Sequence, residues 1–250
     1  MMFLGLIPAR GGSKGIPRKN IAPCAGKPLL WYTCEAALKC TALNRVVLST
    51  DDAEIGALGQ KLGVEVPFLR PAKIAGDETP SIAVIQNIME WLDADKSEID
   101  AIVLLQPTSP LRTSRNIDEA CALYRESGAK TVVSVTLIPH RYHPQSLMQI
   151  KDGRVLPYQG DRIVPQRRQD LMPLYARNGP AILICSTEVL RGGSLYGEPT
   201  FAYVMSEEQS IDIDTLYDLK IAESLRNCRE PESGNEEAQK GTRLKVASKR

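Results

Sequence analysis

The sequence predicts an α/β fold, a mainly parallel sheet with helices on both faces. Three observations point there. Short apolar runs alternate with amphipathic stretches of ~10–15 residues, the pattern of βαβ units whose strands are buried on both sides. The chain has 250 residues, 43% hydrophobic and 24% charged, enough to bury a sizeable core. The alternation lapses over residues 137–173, where prolines and weak strand patterns read as a β-rich arm inserted on the sheet.

In chain order, "MFLGLIPA" is a short buried strand. "KPLLWYTCEAALKC" has helical spacing, with Leu30, Cys34, Ala37 and Leu38 on one face and a proline near its start. "RVVLSTD" is a second strand, and "DAEIGALGQKLG" a helix closed by Gly63. "VEVPFL" reads as a brief strand, "SIAVIQNIMEWL" as a helix and "IDAIVLLQP" as a strand. "SRNIDEACALYRESG" is a helix with a terminal glycine, and "TVVSVT" a strand. In the arm, "SLMQI" and "RVLPY" are weakly strand-like. Alternation returns with "PAILICSTEVLRGG" and "FAYVM", and a last helix begins at Thr215 and reaches the neighbourhood of Leu225. Residues 1–136 and 174–228 therefore read as the core. The polar, aperiodic residues 229–250 read as a disordered tail.

A formal net charge of +1 offers no global field to attract nucleic acid, so any anion site must be local. No apolar stretch approaches the ~20 residues of a membrane span. The apolar start is too short for a secretory leader and has no basic residues before it, so a soluble cytoplasmic protein is expected. The six cysteines form no C-x-x-C pair and lie in apolar segments, which suits buried, reduced thiols. His140 and His143 in "PHRYHP" have no third ligand nearby in sequence, and the flanking prolines argue for a loop rather than a zinc site.

Four stretches carry chemistry. The first, "IPARGGSKGIPRKNI", follows the first strand, at the sheet edge where open α/β folds bind ligands. Its glycines let backbone amides approach a phosphate, and Arg10, Lys14, Arg18 and Lys19 add countercharge. It fits neither G-x-x-x-x-G-K-[ST] nor G-x-G-x-x-G, so it reads as a triphosphate cradle of another kind. The second is "SIDIDTLYD". Strand alternation would put Asp212 and Asp214 on one face about 7 Å apart, a natural Mg²⁺ holder. The competing reading is a helix cap, with Asp214 or Thr215 as N-cap and Asp218 completing a capping box. The third, "LLQPTSPLR", ends a buried strand at Gln106 and gathers Thr108, Ser109 and Arg112 at the sheet's edge. The fourth, "ARNGP", preceded by the arginines of "PQRRQ", offers an amide and a guanidinium suited to a carboxylate ligand.

In this order and spacing the four stretches resemble the CMP-sialic acid synthetase (N-acylneuraminate cytidylyltransferase) family, bacterial short form, over nearly the whole folded chain. The resemblance implies a Rossmann-like nucleotidyltransferase with a protruding dimerisation arm, hence a homodimer. It implies transfer of CMP from CTP to the anomeric hydroxyl of a nine-carbon 2-keto acid sugar, with release of pyrophosphate and use of Mg²⁺. Carried over by position, Arg10, Ser13, Lys19 and Asn20 would bind CTP, with Arg70 and Ser81 near the cytosine and ribose. Gln106 would bond the sugar, and Arg168 of the arm would meet its carboxylate. Asp212 and Asp214 would hold magnesium, with Asp214 helping to deprotonate the attacking hydroxyl. Gln145 and Ser146 follow His143-Pro144 where sialic acid-activating members often carry a basic residue, so legionaminic and pseudaminic acids stay open as sugars. Two rival readings are CMP activation of an eight-carbon ulosonate, whose enzymes resemble "R-x-P-G-K" where this chain has "GIPRKNI", and a non-catalytic nucleotide binder, which would not need both aspartates.

Overall fold

A computed structural model describes residues 1–158 and 171–228 of the chain. Its strands are β1 (Phe3–Pro8), the two-residue pair β2 (Pro23–Cys24) and β3 (Lys27–Pro28), β4 (Arg45–Ser49), β5 (Ala101–Leu104) and β6 (Thr131–Leu137). They continue with β7 (Met148–Lys151), β8 (Arg154–Pro157), β9 (Tyr175–Arg177), β10 (Leu183–Ser186) and β11 (Thr200–Met205). The helices are α1 (Leu29–Lys39), α2 (Ala53–Leu62), α3 (Ser81–Ala94), α4 (Ser114–Ser127), α5 (Thr187–Arg191) and α6 (Leu216–Cys228).

Seven strands form the main sheet in the order β11-β6-β10-β5-β1-β4, with β9 also paired to β6. β4, β1 and β5 are parallel neighbours, as are β6 and β11. β10 runs antiparallel to both β5 and β6, and β9 antiparallel to β6. The reversal has a simple cause. Leu137 at the end of β6 lies opposite Tyr175 at the start of β9, so β9 and then β10 pass back down the side of β6. No helical crossover is needed for such a return.

Strand side chains alternate between two packed layers. On one face Phe3, Ile7, Leu48 and Val103 meet Leu30, Cys34 and Ala37 of α1, Ile55 of α2, and Ile117 and Cys121 of α4. On the other, Leu4, Leu6, Val47 and Ile102 meet Ile85, Ile88 and Leu92 of α3 and Leu190 of α5. α6 covers neither face. Its Ala222 joins Ile16, Cys24, Leu29, Tyr32 and Ile213 in a separate cluster, which matters for the site.

Three local expectations are corrected. Leu38 is 44% exposed, because the buried face of α1 turns through Thr33 and Ala36 instead. "VEVPFL" makes two isolated parallel bridges, Val47 to Glu65 and Thr50 to Leu69, rather than a strand. Pro67 between them has no N–H to continue a ladder. Of the six thiols five are buried, while Cys228 at the end of α6 is exposed. Burial pushes the Cys34, Cys40 and Cys121 thiols up to about 12, so these three are inert packing groups. β7 and β8 pair antiparallel as a separate two-stranded sheet.

Candidate active site

β1 ends beside β5, where Leu105 N donates to Leu6 O at 2.9 Å, and releases the glycine loop over the carboxyl edge of the sheet. Gly11 comes so close to α2 that a Cβ there would lie 2.6 Å from Asp52 Oδ2, and its N–H donates to Asp51 Oδ1 at 3.0 Å. Asn20 ties the two ends of the loop together, its Nδ2 donating to Arg10 O at 2.8 Å. Ile16, 4% exposed, anchors the middle of the loop in the third apolar cluster. The four loop cations do not act alike. Arg18 turns outward, with Nη2 3.1 Å from Asp52 Oδ2 and 2.8 Å from Glu54 Oε2, so the expected countercharge falls to Arg10, Lys14 and Lys19, which line a common cavity.

The segment with the two aspartates belongs to no strand and bends at Asp214 and Thr215, which corrects the predicted strand. It is held by other means. Ile213, fully buried between the aspartates, packs on Ile16, and its N–H donates to Thr108 O at 2.8 Å. Lys19 Nζ donates to Ile213 O at 2.6 Å and lies 3.2 Å from Asp214 Oδ1. Gly15 backs onto the same segment, where a Cβ would sit 2.5 Å from Asp214 O. The cap of α6 is a Thr215–Asp218 box. Asp218 Oδ2 accepts from Thr215 N at 2.8 Å, and Thr215 Oγ1 accepts from Asp218 N at 3.3 Å. The cap therefore consumes neither Asp212 nor Asp214. Burial pushes the Asp212 carboxyl up, against a lowering hydrogen bond from Thr108, and Asp214 raises it further. Its Oδ1 is buried with no hydrogen-bond partner among the described residues.

The facing wall comes from residues 70–81. Arg70 is 6% exposed at its base, donating Nη2 to Ser49 O at 2.6 Å and Nε to Ser49 Oγ at 3.1 Å, and burial lowers its pKa. Ser81 opens α3 and lines the cavity. Gln106 projects from the end of β5, and Thr108 Oγ1 donates to its Oε1 at 3.5 Å. Arg112, expected at the sheet's edge, is instead 2% exposed inside the fold. Its guanidinium donates to Ala181 O at 2.6 Å, Thr33 Oγ1 at 2.7 Å and Gln106 O at 3.1 Å. It pins the Gln106 backbone, and burial lowers its pKa to about 9, still charged at neutral pH.

Nine of the residues singled out by sequence, Arg10, Ser13, Lys19, Asn20, Arg70, Ser81, Gln106, Asp212 and Asp214, line one cavity of about 490 Å³. Arg168 lies outside the described residues. In the "ARNGP" stretch the amide is not offered to a ligand. Asn178 is buried, accepting from Ser134 Oγ at 2.6 Å and donating to Ser210 Oγ at 2.8 Å, which braces the approach to Asp212. Arg177 lies on β9 with Nη1 2.8 Å from Tyr196 Oη. His143 uses both ring nitrogens, Nε2 with Met172 O at 3.2 Å and Nδ1 accepting from Gln145 N at 3.3 Å. Sequence reasoning missed Asp77, which reaches across the cavity to Arg10 and to Lys14 Nζ at 2.9 Å. Its signal was an acid between Arg70 and Ser81, two residues already assigned to the site.

The Cytidylyltransferase family model matches residues 4–224. The chain is 34% identical over 232 residues to the CMP-N,N'-diacetyllegionaminic acid synthase of Legionella pneumophila, covering 90% of this chain and 96% of the relative. It is 32% identical over 225 residues, with the same two shares, to a pseudaminic acid cytidylyltransferase of Campylobacter jejuni. Among solved structures, CMP:2-keto-3-deoxy-manno-octonic acid synthetase complexed with CTP matches with a TM-score of 0.66 at 17% identity, covering 91% of this chain and 99% of that one. That last likeness is one of fold, a Rossmann-like nucleotidyltransferase. A mainly parallel sheet, a cationic glycine loop at its carboxyl edge and these relatives agree, and the chain belongs to the cytidylyltransferase family.

Proposed function

We propose that this enzyme transfers CMP from CTP to the anomeric hydroxyl of a nine-carbon 2-keto acid sugar of the sialic, legionaminic or pseudaminic type, releasing pyrophosphate. The observation that carries this reading is the convergence of loop cations, two aspartates and Gln106 on one cavity at the carboxyl edge of the sheet. Arg10, Lys14 and Lys19 neutralise the triphosphate, and Ser13 and Asn20 complete the loop around it. Arg70 and Ser81 face the ribose and cytosine. Gln106 hydrogen-bonds the sugar, which Arg112 helps by holding the Gln106 backbone. The anomeric oxygen attacks the α-phosphorus in line, its proton passes to the Asp214 carboxylate, and pyrophosphate leaves. Positioning and charge neutralisation supply the catalysis, with no covalent intermediate.

Asp212 and Asp214 suit Mg²⁺. Both offer hard oxygens, and the unpartnered buried Oδ1 of Asp212 is the sort of atom a cation satisfies. Among the described residues no three His, Cys, Asp or Glu stand together as a metal cage, so phosphate oxygens and water would complete the coordination, as is usual for this ion. When bound, magnesium would offset the charge that builds on the departing pyrophosphate.

The arm, residues 137–173, serves dimerisation in this reading. Met148, Ile150, Val155 and Tyr158 on its described part are all more than half exposed, and an isolated two-stranded hairpin is marginal in water. Arg168 would reach the sugar carboxylate from it. Among the described residues no helix is long and apolar enough to cross a membrane. The test is pyrophosphate release with CTP, Mg²⁺ and a panel of nine-carbon keto acids. Release with at least one, and with CTP well above ATP or GTP, is expected. No release with any of them refutes the reading, and an active monomer by light scattering refutes the dimer.

A further inference from the structure

Arg10 and Lys14 line the cavity, and the structure gives both of them one carboxylate. Asp77 pairs through Oδ1 with Arg10 and through Oδ2 with Lys14 Nζ at 2.9 Å. It comes from the opposite wall, in a short turn where Thr79 N donates to Gly76 O at 3.2 Å just before α3. Lys19 differs, being engaged within its own wall by Ile213 O and Asp214. The loop cations that line the cavity therefore divide into Lys19, beside the aspartate pair, and Arg10 and Lys14, bridged across the cavity to an acid. Carboxylate and phosphate oxygens make the same kind of charge-assisted bonds to guanidinium and ammonium groups. Asp77 and a polyphosphate cannot hold Arg10 and Lys14 at once.

We infer that Asp77 competes with the nucleotide's phosphates for Arg10 and Lys14, weakening the hold on pyrophosphate and so hastening its departure. This rests on the cytidylyltransferase reading above. A polyphosphate carries several charges against one, so CTP displaces Asp77. As pyrophosphate leaves, the carboxylate re-forms its two bridges and offsets part of the cost of separating anion from cations. Partly exposed ion pairs are individually weak, so the barrier to CTP entry is small. Two such contacts, added to repulsion between Asp77 and bound phosphate, correspond to about a tenfold effect on affinity.

Inorganic pyrophosphate titrated calorimetrically into the parent enzyme, Asp77→Asn and Asp77→Glu tests this. Asp77→Asn should bind pyrophosphate about tenfold more tightly and be inhibited by it at correspondingly lower concentration, with Asp77→Glu close to the parent. The advantage should shrink at about 0.5 M salt, which screens partly exposed charges, whereas a merely structural role for Asp77 would not respond. Equal or weaker pyrophosphate binding by Asp77→Asn overturns the inference. If the parent binds both CTP and pyrophosphate and the variant matches it, only the role of Asp77 falls. If the parent binds neither, the cytidylyltransferase reading falls, and this with it.

Discussion

One wall of the cavity, the glycine loop with residues 211–215, is fastened by packing and backbone hydrogen bonds. The rim of the facing wall, residues 76–79, meets the loop through the Asp77 ion pairs. On the first side Ile16 and Ile213 share an apolar cluster, Lys19 grips the Ile213 carbonyl, and Gly15 lies flat against that of Asp214. Such contacts have one geometry and are lost steeply when atoms move. Partly exposed ion pairs tolerate displacement and weaken with salt. The difference suits the chemistry. In the proposed reaction, groups that would meet the reacting phosphorus are fixed before substrate arrives, and groups that would admit and release a polyphosphate can rearrange.

The sharpest way to break this comparison is to neutralise the fixed wall. Asp212→Asn and Asp214→Asn preserve shape, and neither residue caps α6, since Thr215 and Asp218 do that. Both variants should fold, and Asp212→Asn should melt no lower than the parent because it removes a buried charge with a raised pKa. Turnover should fall about a hundredfold or more, the scale of losing a principal charge-stabilising group. Turnover within a few-fold of the parent at saturating Mg²⁺ would show that the carboxylates are structural.

A smaller perturbation leaves every carboxylate in place. Gly15→Ala puts a methyl 2.5 Å from the Asp214 carbonyl, a backbone atom that must then shift. Displacement of this kind should lower turnover about tenfold. Gly12→Ala is the control for loop stiffness, since a Cβ there meets nothing within 4 Å, and it should melt with the parent. Equal turnover in Gly15→Ala and the parent would mean that the packed wall is looser than its contacts imply.

Much of this was legible in the residues, and the failures have physical causes. The layered α/β core was readable because its strands are buried on both faces and its helices on one, so pattern and environment coincide. The reversed β10 was not, because "AILIC" looks alike in either direction and its direction is set by the preceding β9, which already runs back along β6. Nine of the ten chosen site residues lie around one cavity, since loop glycines and cations carry chemistry that few other structures use. The strand predicted for "SIDID" failed for an instructive reason. Ile213 does turn inward, but its partner is the apolar side of the glycine loop rather than a neighbouring strand. Arg18 could not be separated from Arg10, Lys14 and Lys19 by sequence, because its partners Asp52 and Glu54 belong to another helix. The amide of "ARNGP" looked available for the same reason, whereas Asn178 is consumed by Ser134 and Ser210.

The smallest expected effect concerns the back of the fixed wall, where Asp52 joins the loop to α2. Its Oδ1 accepts from Glu54 N at 2.9 Å and Ile55 N at 3.1 Å, which makes it the N-cap of that helix, and Arg18 reaches it from the loop. Asp52→Ala should cost about 1 kcal/mol of stability, as N-cap removal does, whereas Asp52→Asn keeps most of the cap and should lose less. The pH dependence has a definite sign. The Ile55 amide bond, chiefly, and the Arg18 charge hold the Asp52 carboxyl below its ordinary value against a smaller opposing effect of burial. A depressed folded pKa contributes stability that is present above the unfolded value of about 3.9 and is lost as pH falls through the lower folded value. The melting gap between parent and Asp52→Ala should therefore be full at neutral pH and narrow in acid. Chemical denaturation across that range reads it directly. A gap that stayed constant into strong acid would show that the carboxylate's charge adds nothing at this joint.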